Sequence, residues 1–259
     1  MAQHKDEALL ETDRSLPKRI ALGAAHSVLH GLERIIAAFS KVDTTPFIDP
    51  APFTWEPAVR AGWPAIRGEL DRLMERRDEL PSFQEISPDQ TLITQDDDWK
   101  TYFFCAYGMV AQKNCERCPE TWALIKDIPG LKLAMFSILS PGKHIPAHRG
   151  PFKGVVRYHL PLIVPEPAEA CRISVGGQIH AWQEREGVFF DDSYVHEVWN
   201  ETDGLRAVLF LDIVRPVGFP ASLLNSAIIR AITLSPLVRD VRRNQEQWEQ
   251  RFEAGAQPG

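Results

Sequence analysis

The stretch from Leu131 to Val214 constrains the fold more than any other part of the sequence. It consists of short apolar runs, rich in valine, isoleucine and phenylalanine, separated by glycine, proline and aspartate. Such runs are typical of β-strands joined by tight turns. Seven short strands predict a β-sandwich or jelly roll, whose open end can hold a metal ion and a small cofactor. The predicted strands are Lys132–Leu139, Gly154–Val164, Cys171–Val175, Gln178–Trp182, Gly187–Phe190, Val195–Trp199 and Leu205–Val214.

Helices are predicted on both sides of this core, which we place at 131–216. Residues 1–130 are interpreted as a helical extension packed on the core. Residues 217–259 are interpreted as a C-terminal helix followed by a polar, frayed tail beyond Arg243. The chain length of 259 residues is compatible with one enlarged domain. The predicted helices are Pro17–Ser40, Pro57–Arg77, Pro119–Asp127 and Ala221–Val241.

Charge and hydropathy patterns exclude some partners and locations. The formal net charge is −6, and the basic residues do not form the stripe that a nucleic acid backbone requires. The first residues are polar and acidic, unlike a secretory signal, so we expect a cytoplasmic protein. Charged residues interrupt the apolar segment Ile20–Val42 too early for a bilayer span. An amphipathic helix packed on the core is favoured there, with membrane-surface contact as the alternative.

Two histidines in the β-rich region are candidate metal ligands. His148 follows the proline-bounded segment Pro141–Pro146, and His196 stands in the block Phe190–Trp199. Ferrous oxygenases bind iron with two imidazoles and commonly a carboxylate, which leaves the remaining positions for co-substrate and O2. The residue two after His148, where that carboxylate would lie, is Gly150. A glycine there leaves a coordination position to water or to another anion.

A single arginine, Arg206, begins an otherwise apolar predicted strand. A guanidinium that enters a dry barrel needs an anionic partner, and the distal carboxylate of 2-oxoglutarate would supply a bidentate one. A salt bridge to a nearby aspartate explains this arginine equally well. The candidate aspartates are Asp191, Asp192 and Asp212.

Taken in order, these motifs resemble the aspartyl/asparaginyl β-hydroxylase family of Fe(II)- and 2-oxoglutarate-dependent dioxygenases. The resemblance covers about residues 118–216. It implies a mainly β fold with a double-stranded β-helix core, of the jelly-roll or cupin-like type, and N-terminal and C-terminal helices packed around it. It also implies Fe(II) as the metal, with 2-oxoglutarate and O2 as co-substrates. The motifs that carry it are His148-x-Gly150-Pro151, Arg157-x-His159, the block Phe190–Trp199 and Arg206.

The resemblance implies roles for three catalytic residues. His148 and His196 match the iron ligands of the family. Arg206 matches the arginine that pairs with the far carboxylate of 2-oxoglutarate.

Three further residues, Ser137, Arg157 and His159, fall on positions that bind the co-substrate in the family. Arg157 and His159 are two apart on one predicted strand and therefore point to the same face. Asp191 and Asp192 are interpreted as turn residues or as supports for the ligands rather than as ligands themselves.

The acceptor of the hydroxyl group is left open by the sequence. The first expectation is the β-carbon of an aspartyl or asparaginyl residue or of a related amino acid. The animal members that act on aspartyl residues have a lysine and an arginine near the substrate carboxylate, where this sequence has Met135 and Val155. The segments Cys118–Thr121 and Ala134–Phe136 are instead similar to the bacterial branch, which includes lipid A acyl-chain hydroxylases. Peptides, amino acids and lipids therefore all remain candidate acceptors.

Two other functions fit the same motifs. Gly150 could admit chloride to the iron, as in a 2-oxoglutarate-dependent halogenase, and a chloride-dependent product would reveal this reaction. A cupin-like binding module that keeps the metal site but performs no chemistry is the non-enzymatic alternative. Arg206 argues against that alternative, and turnover of 2-oxoglutarate would decide the question.

Overall fold

Two antiparallel β-sheets form the centre of the protein in a computed structural model, which describes residues 31–254. The larger sheet has seven strands in the order β1-β9-β6-β11-β4-β2-β3, and the smaller sheet has four in the order β5-β10-β7-β8. This architecture confirms the predicted mainly β, jelly-roll type of core. The strands are β1 (Phe47–Ile48), β2 (Trp99–Ala106), β3 (Met109–Val110), β4 (Leu131–Leu139), β5 (His144–His148), β6 (Val155–Ile163), β7 (Cys171–Val175), β8 (Gln178–Ala181), β9 (Val188–Phe190), β10 (His196–Asn200) and β11 (Arg206–Val214).

Three long strands, β4, β6 and β11, lie at the centre of the larger sheet and are almost entirely buried. One face packs towards the smaller sheet, and the other packs against helices. Trp63, for example, donates a hydrogen bond from its indole N–H to the Pro161 carbonyl oxygen of β6 at 2.8 Å. Strands that are buried on both faces have continuous apolar sequences. For this reason the apolar runs located these three strands to within one residue at each end.

Helices surround the sheets on the N-terminal and C-terminal sides. The predicted helix Pro57–Arg77 is in fact two helices, because the chain is interrupted at Gly62. A Cβ atom at Gly62 would lie 2.3 Å from Leu124 Cδ1, so the glycine allows a close approach of another helix. The helices are α1 (Glu56–Ala61), α2 (Trp63–Met74), α3 (Phe83–Ile86), α4 (Gln112–Arg117), α5 (Pro119–Ile125), α6 (Ala221–Thr233) and α7 (Pro236–Ala254), and residues 31–38 are also helical.

The larger sheet begins before residue 131, which corrects the predicted boundary between a helical extension at 1–130 and the core at 131–216. β2 runs alongside β4 from the pair Trp99↔Leu139 to the pair Ala106↔Leu133, and β1 pairs with β9. All eight residues of β2 are buried. Its aromatic residues favour a strand. The core therefore includes strands from both sides of residue 131.

The segment beyond Arg243, predicted to be a frayed tail, is helical as far as Ala254. That prediction was wrong because two large aromatic side chains of α7, Trp248 and Phe252, are buried. The Trp248 ring lies 5.9 Å from that of Tyr102 on β2. Residues 255–259 lie outside the described part of the chain.

The predicted amphipathic segment Ile20–Val42 lies in the described part only from residue 31 onwards. There Ile36 is buried with Phe152 and Ala221, whereas Phe39 is exposed. Among residues 31–254, no single helix is both long enough and apolar enough to cross a bilayer. In this described range, α6 and α7 reach the required length and composition only when taken together, and they lie at 50° to each other.

Candidate active site

Two histidines lie opposite each other in the smaller sheet. His148 ends β5, His196 begins β10, and the two residues are partners in the strand register. Their ring centroids are 4.1 Å apart. The Nδ1 atom of His148 lies 2.8 Å from the Pro146 carbonyl oxygen, and that of His196 lies 3.0 Å from the Tyr194 carbonyl oxygen. If each Nδ1–H donates to its carbonyl, both Nε2 atoms carry a free lone pair.

The environment keeps both imidazoles neutral. Burial lowers the pKa of His148, and burial together with the neighbouring His148 lowers the pKa of His196 to about 3. Neutral imidazole is the form that binds a divalent metal ion. Residues 31–254 bring together no group of three or more His, Cys, Asp or Glu side chains suited to a metal. In this part of the chain, the site therefore offers two imidazole ligands.

A buried carboxylate, Asp192, fills the space beside Gly150. The Gly150 amide donates to the Asp192 carbonyl oxygen at 2.7 Å. A Cβ atom built on Gly150 would lie only 2.2 Å from Asp192 Oδ2. Burial raises the pKa of the Asp192 carboxyl to about 6, against the opposing effect of Arg157. The glycine that follows the first histidine thus makes room for a carboxylate supplied by another turn.

The aspartates of the site are matched by basic side chains. Arg157 contacts Asp212 at 2.8 Å and Asp192 at 2.9 Å. Asp191, which is fully buried, pairs with Lys153 and, at 2.7 Å, with Arg215. Asp191 also accepts hydrogen bonds from the amide and hydroxyl of Ser193, which closes the turn before His196.

Arg206 differs from these arginines, because it is buried without any carboxylate partner among residues 31–254. Its guanidinium lies over the Trp182 ring, 4.2 Å from the centroid, and its Nε and Nη1 atoms have no hydrogen-bond acceptor in the described part of the chain. Burial lowers its pKa to about 10, although Cys171 opposes this shift. The three aspartates that the sequence offered as partners are engaged by Arg157, Arg215 and Lys153 instead.

His159 provides a second unsatisfied polar group in the same region. Its side chain is buried, and neither ring nitrogen has a hydrogen-bond partner among the residues that the structure describes. The ring lies 4.9 Å from both Phe190 and Phe210, and 6.0 Å from Trp182. Burial, and then the charge of Arg206, hold the pKa of His159 well below its usual value. The imidazole is therefore neutral and available to a ligand.

Strand register places the remaining predicted residue, Ser137, on the same face of the larger sheet as Arg206. Val208 is opposite Ser137 on β4, and it is two residues from Arg206 on β11. Phe210, two residues further along, is opposite His159 on β6. The Ser137 hydroxyl accepts a hydrogen bond from the Trp99 indole N–H at 2.9 Å.

Two residues near these groups were not singled out by the sequence. Trp182 supplies the ring beneath Arg206, and Tyr107 lies at the β2–β3 turn with a positive φ of 43°. Burial raises the pKa of Tyr107, with smaller contributions from Asp212 and Asp192. A Tyr-Gly pair between two strands indicates a turn, but nothing in the sequence indicates that the tyrosine points towards the buried aspartates.

Taken together, the site combines two neutral imidazoles with a buried, unpaired cation in an aromatic environment. The two imidazoles can hold a divalent metal ion through Nε2. The unpaired guanidinium and the neutral His159 can receive an anionic, hydrogen-bonding ligand. This combination suits a metal-bound organic anion better than it suits a purely structural core.

Comparison of the sequence with known proteins gives a consistent family relationship. Residues 60–216 match the family described as aspartyl/asparaginyl beta-hydroxylase. The ornithine lipid ester-linked acyl 2-hydroxylase of Rhizobium tropici is 43% identical over 231 residues, which cover 89% of this chain and 82% of that protein. The human aspartyl/asparaginyl beta-hydroxylase is 27% identical over 61% of this chain but only 21% of its own length. A crystal structure of a Pseudomonas putida prolyl-4-hydroxylase has 18% identity and a TM-score of 0.38, covering 71% of this chain and 99% of that one.

Proposed function

Since this chain belongs to the aspartyl/asparaginyl β-hydroxylase family, we propose that it is an Fe(II)- and 2-oxoglutarate-dependent hydroxylase that acts on a lipid acyl chain. The observation that carries the proposal is the combination of two neutral imidazoles, His148 and His196, with the buried and unpaired guanidinium of Arg206. A buried cation without a partner costs free energy, which a bound anion offsets.

His148 and His196 fit a divalent metal ion. Their Nδ1 atoms lie at hydrogen-bonding distance from backbone carbonyl oxygens, which fixes the orientation of both rings. Arg157 lowers the pKa of both histidines and so helps to keep them neutral. With iron and 2-oxoglutarate bound, a site of this kind supplies oxidation of an unactivated C–H bond by O2, coupled to the conversion of 2-oxoglutarate to succinate.

Arg206 is proposed to pair with the far carboxylate of 2-oxoglutarate. The face of Trp182 holds the guanidinium in place, and its Nε and Nη1 atoms are free to donate. His159 is proposed to add a hydrogen bond from a neutral ring, and Ser137 a further one from its hydroxyl. Because Arg157 is engaged by two aspartates, it is proposed to act mainly by holding Asp192 beside Gly150.

Aromatic side chains keep the region around Arg206 and His159 dry. Phe190 and Phe210 pack against His159, and Trp182 covers Arg206. Exclusion of water strengthens the pairing of the guanidinium with an anion, and it protects a reactive site from side reactions.

A lipid acyl chain is the acceptor that two observations favour. The relative with 43% identity is named as an acyl 2-hydroxylase, and the match spans most of its length. Met135 and Val155 are buried and apolar, so these positions offer no charge to the carboxylate of an aspartyl substrate. Hydroxylation of an aspartyl or asparaginyl residue is the second candidate. It is supported by the family description and by relatives that match over a fifth of their length.

The test measures succinate release from protein that has been reconstituted with Fe(II) under anaerobic conditions and then exposed to O2. The acceptors are acyl lipids, aspartyl peptides and free amino acids, and mass spectrometry identifies the product. Acyl lipids should stimulate succinate release and gain a hydroxyl group at C2 of the acyl chain. Stimulation by aspartyl peptides alone would contradict the lipid assignment, and a chloride-containing product would indicate a halogenase. Binding of 2-oxoglutarate without turnover of any acceptor would indicate a binding module.

A pair of histidine variants tests the metal assignment. His148→Ala should bind no iron and release no succinate, because only one imidazole ligand remains. His144→Ala is the matched control in the same strand: His144 is exposed and contacts Glu197 at 2.7 Å, so its loss should leave iron binding intact. Full iron occupancy in His148→Ala would overturn the assignment.

A further inference from the structure

Most of the exposed large apolar side chains of residues 31–254 lie in two neighbouring segments of the chain. In residues 31–254, nine large apolar side chains are exposed, and six of them lie within the segments 35–39 and 219–237. A single exposed apolar residue needs no explanation, but a concentration on one face indicates a contact surface. We call these six residues the apolar face: Ile35, Phe39, Phe219, Leu223, Leu234 and Leu237.

The apolar face is continuous between two elements of the chain. The Gly218 amide donates to the Phe39 carbonyl oxygen at 2.8 Å, which places Phe219 beside the end of the helical segment 31–38. Leu223 of α6 and Leu234, which directly follows this helix in helical conformation, are eleven residues or about three helical turns apart, so they lie on the same side of the helix axis. The opposite side of α6 is buried and contains Ala221, Asn225 and Ile229.

The charge around the apolar face is positive, although the whole protein has a net charge of −6. Residues 213–239 contain no aspartate or glutamate; of their three arginines, Arg215 is buried and pairs with Asp191, whereas Arg230 and Arg239 are exposed. Residues 34–42 likewise contain no acidic residue, and Arg34 and Lys41 are exposed there. An apolar face with a basic rim is complementary to a surface that is apolar inside and anionic at its edge.

A cleft of about 460 Å³ beside α6 is lined by both apolar and basic side chains. Lys132 and Arg230 are its two cations, and neither has a carboxylate partner in the part of the chain that the structure describes. Val214, Ile229 and Leu234 line its apolar side. The ammonium group of Lys132 and the guanidinium group of Arg230 lie beside these apolar side chains. Such a pair of cations suits a phosphate group that is joined to an acyl chain.

The apolar face adjoins the end of the fold where His148 lies. Asn225 of α6 donates to the Gly154 carbonyl oxygen at 3.0 Å. Phe152 packs with Ile36 and Ala221, one from each element beneath the apolar face. Phe152 and Gly154 belong to the loop that leads out of β5, four and six residues after His148.

Resting on the proposed lipid acceptor, we propose that the apolar face docks on a bilayer that contains anionic phospholipid. The apolar side chains enter the boundary between headgroups and acyl chains, and the basic rim contacts phosphate. Docking in this orientation brings the His148 end of the fold towards the membrane surface. A second copy of the chain, or the chain's own residues 1–30, which contain four acidic residues, would also cover an apolar face, and the measurements below distinguish both from a bilayer.

The test is co-sedimentation of the full-length protein with vesicles of phosphatidylcholine, with or without about 30% phosphatidylglycerol. Wild type should bind the anionic vesicles at least about tenfold more tightly. The double variant Leu223→Asp/Leu234→Asp should weaken this binding at least about tenfold, because it places charge in the apolar boundary. Leu92→Asp is the matched control, since Leu92 is an exposed leucine outside the apolar face.

A second pair of variants tests the basic rim. Lys132→Glu/Arg230→Glu should remove the preference for anionic vesicles, whereas Lys126→Glu, at an exposed position on another surface, should keep it. Equal binding to both vesicle types by wild type, or unchanged binding by the leucine variant, would overturn the proposal. A dimer that the leucine variant dissociates, or a large fall in its melting temperature, would assign the apolar face to a second copy or to residues 1–30 and would also overturn it.

Detergent-dispersed lipid separates failure of docking from failure of the proposed function. If dispersed lipid is hydroxylated while all variants bind vesicles as wild type does, docking fails and the enzymatic assignment stands. If the vesicle results are as expected but no lipid is hydroxylated in any form, docking stands and the proposed acceptor fails.

Discussion

Two buried charge clusters of the site differ in how their charges are balanced. In the first, Arg157 and Arg215 contact Asp212 and Asp191 at 2.8 and 2.7 Å. In the second, Arg206 is as buried as Arg215 but lies over Trp182, with no carboxylate partner in the described residues. Removing one partner of a matched buried pair is strongly destabilising because the other charge is left uncompensated, whereas an unmatched buried charge is destabilising as it stands. The first cluster therefore maintains the fold, and the second indicates a place for an anionic ligand.

Replacing one arginine of each cluster by methionine should give the largest difference in free energy of unfolding between the two clusters. Arg215→Met leaves Asp191 with Lys153 alone and removes hydrogen bonds to two backbone carbonyl oxygens, so unfolding should become easier by about 3 kcal/mol. Arg206→Met keeps the packing on Trp182 and removes an unpaired charge. Its free energy of unfolding should stay within about 1 kcal/mol of wild type or rise. Urea denaturation of the metal-free proteins measures both, and similar losses in the two variants would contradict the distinction.

Arg206→Lys should weaken 2-oxoglutarate binding by about 30- to 100-fold while leaving stability nearly unchanged. An ammonium keeps the charge but cannot reproduce the planar fork that binds a carboxylate. The measurement is calorimetric titration of 2-oxoglutarate into Mn(II)-loaded protein. Arg172→Lys is a suitable control because Arg172 also lies over a tryptophan, Trp199, but pairs with Glu201 near the surface. Equal affinity in the Arg206 variant and wild type would make Arg206 a structural residue.

Exchanging Gly150 and Asp192 tests whether these two positions of the first cluster share one space. Gly150→Ala should cost roughly 2 kcal/mol, because its Cβ atom must displace the Asp192 carboxylate from Arg157. The double variant Gly150→Asp/Asp192→Gly should regain at least half of that loss, since it returns a carboxylate to the same space. Gly68→Ala, in the middle of α2 with no described atom within 4 Å of the added carbon, should instead stabilise the protein by up to about 1 kcal/mol. If the double variant is no more stable than Gly150→Ala, the two positions do not share one space.

The pH dependence of the free energy of unfolding tests the second cluster. The expected effect is smaller than those of the variants above. Burial and the charge of Arg206 hold the pKa of His159 well below its usual value. As the pH falls below about 6.5, the unfolded chain takes up a proton that the folded protein excludes, so stability is lost on the acidic side. This loss is up to about 1.4 kcal/mol per pH unit. His159→Phe should therefore be less sensitive than wild type between about pH 7 and about pH 5 in urea denaturation. An unchanged pH dependence would show that His159 takes up its proton at the same pH in the folded and the unfolded protein.

Strands that are buried on both faces could be predicted from the sequence, and strands at the margins could not. β4, β6 and β11 are continuous apolar runs. β5, by contrast, has mostly exposed residues, because it is the edge strand of the smaller sheet, and so it forms no apolar run. β2 has the composition of a strand, but its partner β4 lies beyond two helices in the sequence, and only tertiary structure brings the two together.

The sequence predicted which residues belong to the candidate site. It did not predict which of them pair with one another. His148 and His196 are distant in the sequence and adjacent in space because β5 and β10 pair in antiparallel register. The sequence offered Arg206 three aspartates and gave no reason to reject them. The structure assigns those aspartates to other cations, because the turn at Asp191 and Asp192 faces Arg157 and Arg215. Which charges remain unmatched is a property of three-dimensional packing, and no sequence spacing encodes it directly.

The most direct test of the account is a crystal structure of the protein with Mn(II), as a redox-inert substitute for Fe(II), and 2-oxoglutarate. The account predicts that Nε2 of His148 and Nε2 of His196 bind the metal, and that the far carboxylate of 2-oxoglutarate forms a bidentate pair with Arg206. A metal bound elsewhere, or a far carboxylate held by Arg157 or Arg215 while Arg206 stays unpaired, would contradict it.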